Sequence, residues 1–133
     1  MYNFFFSYSR NVNKEITEEY ISSLASYGFK LWYDNVDVIL GKNIYDELHK
    51  VLSMCKQWNG MILFIDNTYF NKKWCLQELT FALEHNITLY PILINITKND
   101  IPADFEILKD INLCTIKTKQ DIQYAINKTL FLY

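Results

Sequence analysis

Residues 60–65 read GMILFI, five apolar side chains in a row behind a glycine. A strand with one wet face would alternate apolar and polar residues, so an unbroken run of this length fits a strand buried on both faces, as in parallel sheets covered by helices. The stretch ITLYPILI at 87–94 has the same character, and YNFFFS (2–7), FKLWY (29–33) and NLCTI (112–116) complete a set of five candidate strands. Between them apolar residues recur at helical spacing: Ile16, Tyr20, Leu24 and Tyr27; Ile44, Leu48, Leu52 and Cys55; Ile122, Ile126, Leu130 and Tyr133. Strand and helix patterns in turn predict an α/β fold with a parallel sheet joined by right-handed crossovers. Residues 95–111 carry Pro102 and mixed polarity and read as a long connection with one irregular helical turn. With no repeat, low-complexity tract or linker, residues 1–133 read as one domain.

Half of the 133 residues are hydrophobic and 17% are aromatic, enough for a substantial core. The formal net charge is −2 with no run of like charges, which argues against a nucleic-acid or anionic-membrane footprint. The apolar start MYNFFF is too short, and lacks the basic leader, for a signal peptide, and no stretch is long enough to span a bilayer. Cys55, Cys75 and Cys114 are odd in number and far apart, so buried, reduced thiols in a cytoplasmic protein are expected. Without CxxC, and with only His49 and His85, no metal site is expected.

Ligands of open parallel sheets bind beyond the carboxyl ends of the strands. Here those ends lead into SYSR (7–10), YDNVDVILGKN (33–43) and IDNTYFNKKW (65–74). Glycine-rich dinucleotide and phosphate loops are absent, since the only glycines are Gly28, Gly41 and Gly60. No serine sits in a glycine-flanked nucleophile elbow, and His49 and His85 read as surface histidines. Asp66 closes the third strand where a phospho-accepting aspartate would stand, but the first strand lacks the acidic pair that would hold magnesium. Asp66 therefore reads as a residue leading into the next helix.

That helix contains the most informative segment, NKKWCLQEL (71–79). If Asn71 caps it, Cys75, Leu76, Leu79, Ala82 and Leu83 face the core, and Trp74, Glu78, Phe81 and His85 form a flanking sector. Two readings are open. Either Trp74 and Phe81 pack on a neighbouring loop beside a solvated Glu78, or Trp74 and Glu78, one turn apart, face the same ligand.

Three motifs in order resemble the Toll/interleukin-1 receptor (TIR) domain over nearly the whole chain. NFFFSYSR (3–10) is similar to that family's first strand and its SYS or SYR loop. GFKLWYDNVDVILGKNI (28–44) resembles the apolar strand, Asp, spacer and Gly of its second unit. MILFIDNTYFNKKWCLQEL (61–79) resembles its third strand with the Trp-Cys and Glu-Leu run of plant and bacterial members. The resemblance implies a flavodoxin-like three-layer fold with a five-stranded parallel sheet in order 2-1-3-4-5. It also implies one of two functions: assembly with other TIR domains through the loop at 34–43, or cleavage of NAD+ as substrate with no separate cofactor, by an NAD+ nucleosidase or ADP-ribosyl cyclase. Under the second, Glu78 is the catalytic carboxylate, and Trp74, Ser7, Tyr8, Arg10, Asp34 and Gly41 line the substrate site. The loop after Asp34 lacks the Arg and Pro-Gly of many animal adaptors, which favours the enzymatic branch. Self-association, and an effector sensing an ADP-ribose signal in bacterial antiviral defence, follow from the same resemblance.

Overall fold

The computed structural model describes residues 2–10, 12–33, 50–111 and 114–132. Its elements run β1 (Phe4–Tyr8), α1 (Lys14–Ser26), β2 (Leu31–Tyr33), β3 (Met61–Ile65), α2 (Lys73–Glu84), β4 (Leu89–Ile94), β5 (Cys114–Ile116) and α3 (Ile122–Leu132). Residues 50–54 are also helical and lead into a 3-10 turn at Cys55–Gln57. The five strands form one sheet of order β2-β1-β3-β4-β5, and every pairing is parallel. The parallel α/β class is the one expected from the alternation of apolar runs and helical stripes, and the strand order is the one the family resemblance implied. β2, β3 and β4 are each a residue or two shorter than their runs, while β1 continues to Tyr8.

Strand alternation divides the core into two halves. Phe5, Met61, Leu63, Ile65 and Leu93 point to one face, where Cys75, Leu79 and Ala82 of α2 cover them together with Leu52 and Cys55. Phe4, Phe6, Ile62, Phe64, Ile92 and Ile94 point to the other, beneath Tyr20 and Leu24 of α1 and Ile122, Ala125 and Ile126 of α3. The central strand β3 is buried along its whole length, so GMILFI supplies both layers at once. Full burial of each such Leu, Ile or Phe contributes about 1.5–3 kcal/mol, which is why this run fixes the fold. On the second face the Thr129 hydroxyl donates to the Ala125 carbonyl (2.9 Å) and accepts from the buried Tyr20 phenol (2.8 Å), tying α3 to α1.

Several expectations are corrected. α1 ends at Ser26, so Tyr27 is its C-cap and is 52% exposed instead of completing the apolar stripe. Residues 95–111 hold more than one turn: 3-10 segments span Lys98–Asp100, closed by a capping box between Thr97 and Asp100, and Ala103–Asp110, kinked at Phe105. Asn71 does not cap α2. It ends a separate 3-10 turn, Tyr69–Asn71, and Lys72 occupies the cap position without a side-chain hydrogen bond. Tyr69, which opens that turn, is fully buried. The loop at 34–43, with Asp34 and Gly41, and Ile44, Leu48, His49 and Tyr133 lie outside the described residues. No helix among the described residues is long and apolar enough to cross a membrane.

Candidate active site

β1 alternates, and its register pairs Phe5 with Met61 and Ser7 with Leu63. Ser7 thus points to the α2 side of the sheet, at the carboxyl end of the strand. On α2, Cys75, Leu79 and Ala82 form the stripe that packs on this side, and Glu78 lies among them at three residues from Cys75 and four from Ala82. The helix therefore delivers a carboxylate into the core boundary directly over Ser7. Glu78 is only 2% exposed and Ser7 is fully buried. The solvated reading of Glu78 is overturned, and Phe81, expected on the flank, belongs to the core.

A carboxylate in such a place is tolerated only with a donor, since burying an unpaired charge costs several kcal/mol. The Ser7 hydroxyl donates to Glu78 Oε1 at 2.7 Å, within the short range of charge-assisted bonds. Ser7 has one hydroxyl hydrogen, so its second short contact, 2.7 Å to the Tyr69 hydroxyl, places the Tyr69 hydrogen on Ser7 Oγ. The Tyr69 hydroxyl is also 3.5 Å from the Cys75 carbonyl, a much weaker contact. Tyr69, Ser7 and Glu78 form one donor chain.

Titratable neighbours register the carboxylate. Burial pushes the Cys55 thiol up to about 12, with the negative charge of Glu78 adding to the effect. Burial, then Glu78 and Asp66, raise Cys75, opposed by the positive charges of Lys72 and Arg10. Burial likewise raises the Tyr69 phenol well above its ordinary range. All three cysteines are free and buried, as expected.

Asp66, expected to lead into the next helix, caps none: the cap positions are Thr68 and Lys72, and Asp66 braces the loop instead. One oxygen accepts from the Thr68 backbone N–H (2.9 Å) and sits 2.8 Å from the Thr68 hydroxyl, and the other accepts from the Asn13 amide (3.3 Å). The Thr68 hydroxyl is also 2.7 Å from Ser9 Oγ, joining the end of β3 to the loop after β1.

Of the residues named from sequence, Ser7 and Glu78 meet directly. Trp74 is half-buried, one turn before Glu78, and packs on the same core face. Arg10 is half-buried at the same sheet edge, close enough to Cys75 to lower its titration. Tyr8 goes elsewhere: alternation turns it to the α1 side, where its ring stacks on Phe6 at 4.9 Å. Tyr69 was not anticipated, because no periodicity distinguishes it from its neighbour Phe70. Among the described residues no cluster of His, Cys, Asp and Glu could hold a metal ion.

A doubly wound parallel sheet with a buried, hydrogen-bonded carboxylate at its carboxyl edge defines a flavodoxin-like domain with a candidate acid site. The chain belongs to the TIR domain family, whose model matches residues 4–129. It is 23% identical over 133 residues to the NAD(+) hydrolase TcpA of a Theionarchaea archaeon, covering 97% of this chain and 39% of that protein. It is 25% identical over 104 residues to the 2′ cyclic ADP-D-ribose synthase BtTIR of Bacteroides thetaiotaomicron, covering 75% and 35%. The chain thus spans well under half the length of these relatives. Among solved structures, the TIR domains of the activated Roq1 resistosome match with a TM-score of 0.74 at 15% identity, covering 98% of each chain. The TIR domain of the Toll-related receptor TRR-2 from Hydra magnipapillata matches with a TM-score of 0.74 at 16% identity, covering 99% of this chain and 97% of that one.

Proposed function

We propose that this TIR domain cleaves the nicotinamide–ribose bond of NAD+, with Glu78 as the catalytic carboxylate and no separate cofactor. The observation that carries the reading is the fixed, buried Glu78 at the carboxyl edge of the sheet with Trp74 one turn before it. The names of the archaeal and Bacteroides relatives support it. Breaking this bond develops positive charge on the ribose, which a preorganised carboxylate in a water-poor site stabilises strongly. Nicotinamide leaves as a neutral molecule and needs no general acid. Trp74 supplies a flat apolar wall for an aromatic part of the substrate, and Arg10 a planar cation suited to the pyrophosphate. Water entering the site gives ADP-ribose. Attack by a hydroxyl or ring nitrogen of the same molecule gives a cyclic product, the kind of signal a separate effector in antiviral defence would sense.

At 2% exposed, Glu78 is closed to a ligand in this conformation. We infer that substrate access follows a rearrangement of the groups over it, which assembly of several copies would supply. Nicotinamide release is therefore measured on dispersed protein and on protein crowded on a surface, with the ribosyl product identified by mass spectrometry. Turnover should rise with crowding and fall by at least about 10²-fold in Glu78→Gln. Equal turnover in the parent and Glu78→Gln would remove Glu78 from the mechanism. No turnover under either condition would leave an assembly module as the function.

A further inference from the structure

One oxygen of the Glu78 carboxylate is held from the sheet. Its bond comes from Ser7, 71 residues away in sequence, and Ser7 in turn accepts from Tyr69 in the turn that precedes α2. We propose that Ser7 and Tyr69 are positioning residues for Glu78: Tyr69 fixes the Ser7 hydroxyl, and Ser7 anchors one carboxylate oxygen to the end of β1 and favours its ionised form. The catalytic part of this assignment rests on the function proposed above. The anchoring part does not.

Three features make the chain directional. Ser7 is fully buried, and its single hydrogen is committed to Glu78. Without the Tyr69 hydrogen, the serine hydroxyl could rotate away from the carboxylate toward another acceptor, so Tyr69 removes that alternative. Tyr69 is itself well packed: its ring is fully buried and lies edge-on to Phe70, whose ring stacks on Phe105. Ser7, which the family resemblance places in the substrate site, gives its hydroxyl hydrogen to the carboxylate. Among the described residues, Cys55 and Tyr69 on other elements and Cys75 on α2 feel the charge of Glu78. Burial raises all three above their ordinary values.

The test compares the parent chain with Ser7→Ala, Tyr69→Phe, the double variant and Glu78→Gln. Carboxyl carbon NMR on glutamate-labelled protein follows the Glu78 resonance, identified by its loss in Glu78→Gln. Removing a donor to the ionised form moves the titration midpoint to higher pH. We expect a shift of roughly one pH unit in Ser7→Ala, given the strength of bonds to charged groups. A smaller shift is expected in Tyr69→Phe, and none is added by Tyr69→Phe once Ser7 is alanine. In NAD+ turnover, kcat should fall roughly tenfold in Ser7→Ala with KM changed less than twofold, and the acid limb of kcat should follow the NMR midpoint. Tyr69→Phe keeps the ring and its packing, so it remains informative if Ser7→Ala folds poorly. Variants that lose thermal stability but keep the parental midpoint and acid limb would show a merely structural role and overturn the proposal. Parental turnover in Glu78→Gln would instead sink the proposed function, while the midpoints would still decide whether Ser7 and Tyr69 hold the carboxylate.

Discussion

At the residue level, what a side chain can do here is set by whose surface it meets. Glu78 and Tyr69 stand nine positions apart, and both lie against Ser7. Periodicity gave α2 a core stripe but placed Glu78 on the flanking sector with Trp74 and Phe81, because a helical wheel fixes angles and not how much of the circumference neighbouring elements cover. The Ser7 hydroxyl arriving from β1, itself backed by the Tyr69 hydroxyl from the turn at Tyr69–Asn71, helps make that sector hospitable to a charge. Backbone geometry gives a second residue-level constraint at Gly60, which starts the GMILFI run. Its φ is +142°, and a Cβ there would lie 2.4 Å from the Thr88 carbonyl oxygen, a backbone atom that cannot swing aside. Gly60→Ala should therefore destabilise the fold by at least about 2 kcal/mol, read as a lowered urea midpoint at unchanged slope. Gly28, at φ +88° with open space around it, should lose only about 1 kcal/mol on the same change.

At the level of elements, apolar runs located all five strands, and short-range patterning was least reliable at the ends. Pairing, not hydrophobicity, sets strand limits: β2 pairs with β1 over three residues, Leu31 to Tyr33, although its apolar run begins at Phe29. Pro91 sits inside β4, opposite Leu63 of β3, so a strand with a proline survives one place in from the edge of the sheet. α2 shows the clearest local defect. Its cap residue is Lys72, with no side-chain bond to the first turn and no acidic residue within that turn, so a cation faces the positive end of the helix dipole. The backbone at Lys72, φ −98° and ψ 115°, already has the extended form that a serine or aspartate cap uses. Lys72→Ser should raise stability by about 1 kcal/mol, seen as a melting temperature higher by roughly 2–5 °C.

At the level of the whole molecule, two apolar layers share one sheet, and the ionisable groups they enclose tie stability to pH. The Tyr20 and Tyr69 phenols and the Cys55 and Cys75 thiols are all raised by burial above their ordinary values of 10.0 and 9.0. A raised folded value means that the stabilising contribution is complete below the unfolded value and is lost as pH climbs toward the folded one. Urea unfolding should thus show constant stability up to about pH 8 and a steep fall above pH 10, each group removing about 1.4 kcal/mol per pH unit. A flat profile to pH 11 would show that these groups are not enclosed as described. The sequence by itself determined the α/β class, the five strands and the family, because burying continuous apolar runs is a local, high-energy requirement that few architectures satisfy. It also singled out Glu78 through the motif it shares with that family. Only the tertiary structure decided that Glu78 is buried, that Tyr8 turns to the opposite face of the sheet, and that Tyr69 reaches Ser7. Those facts depend on which strand register and which helix face come together, and hydrogen bonds between residues 62 and 71 positions apart leave no periodic trace in the chain.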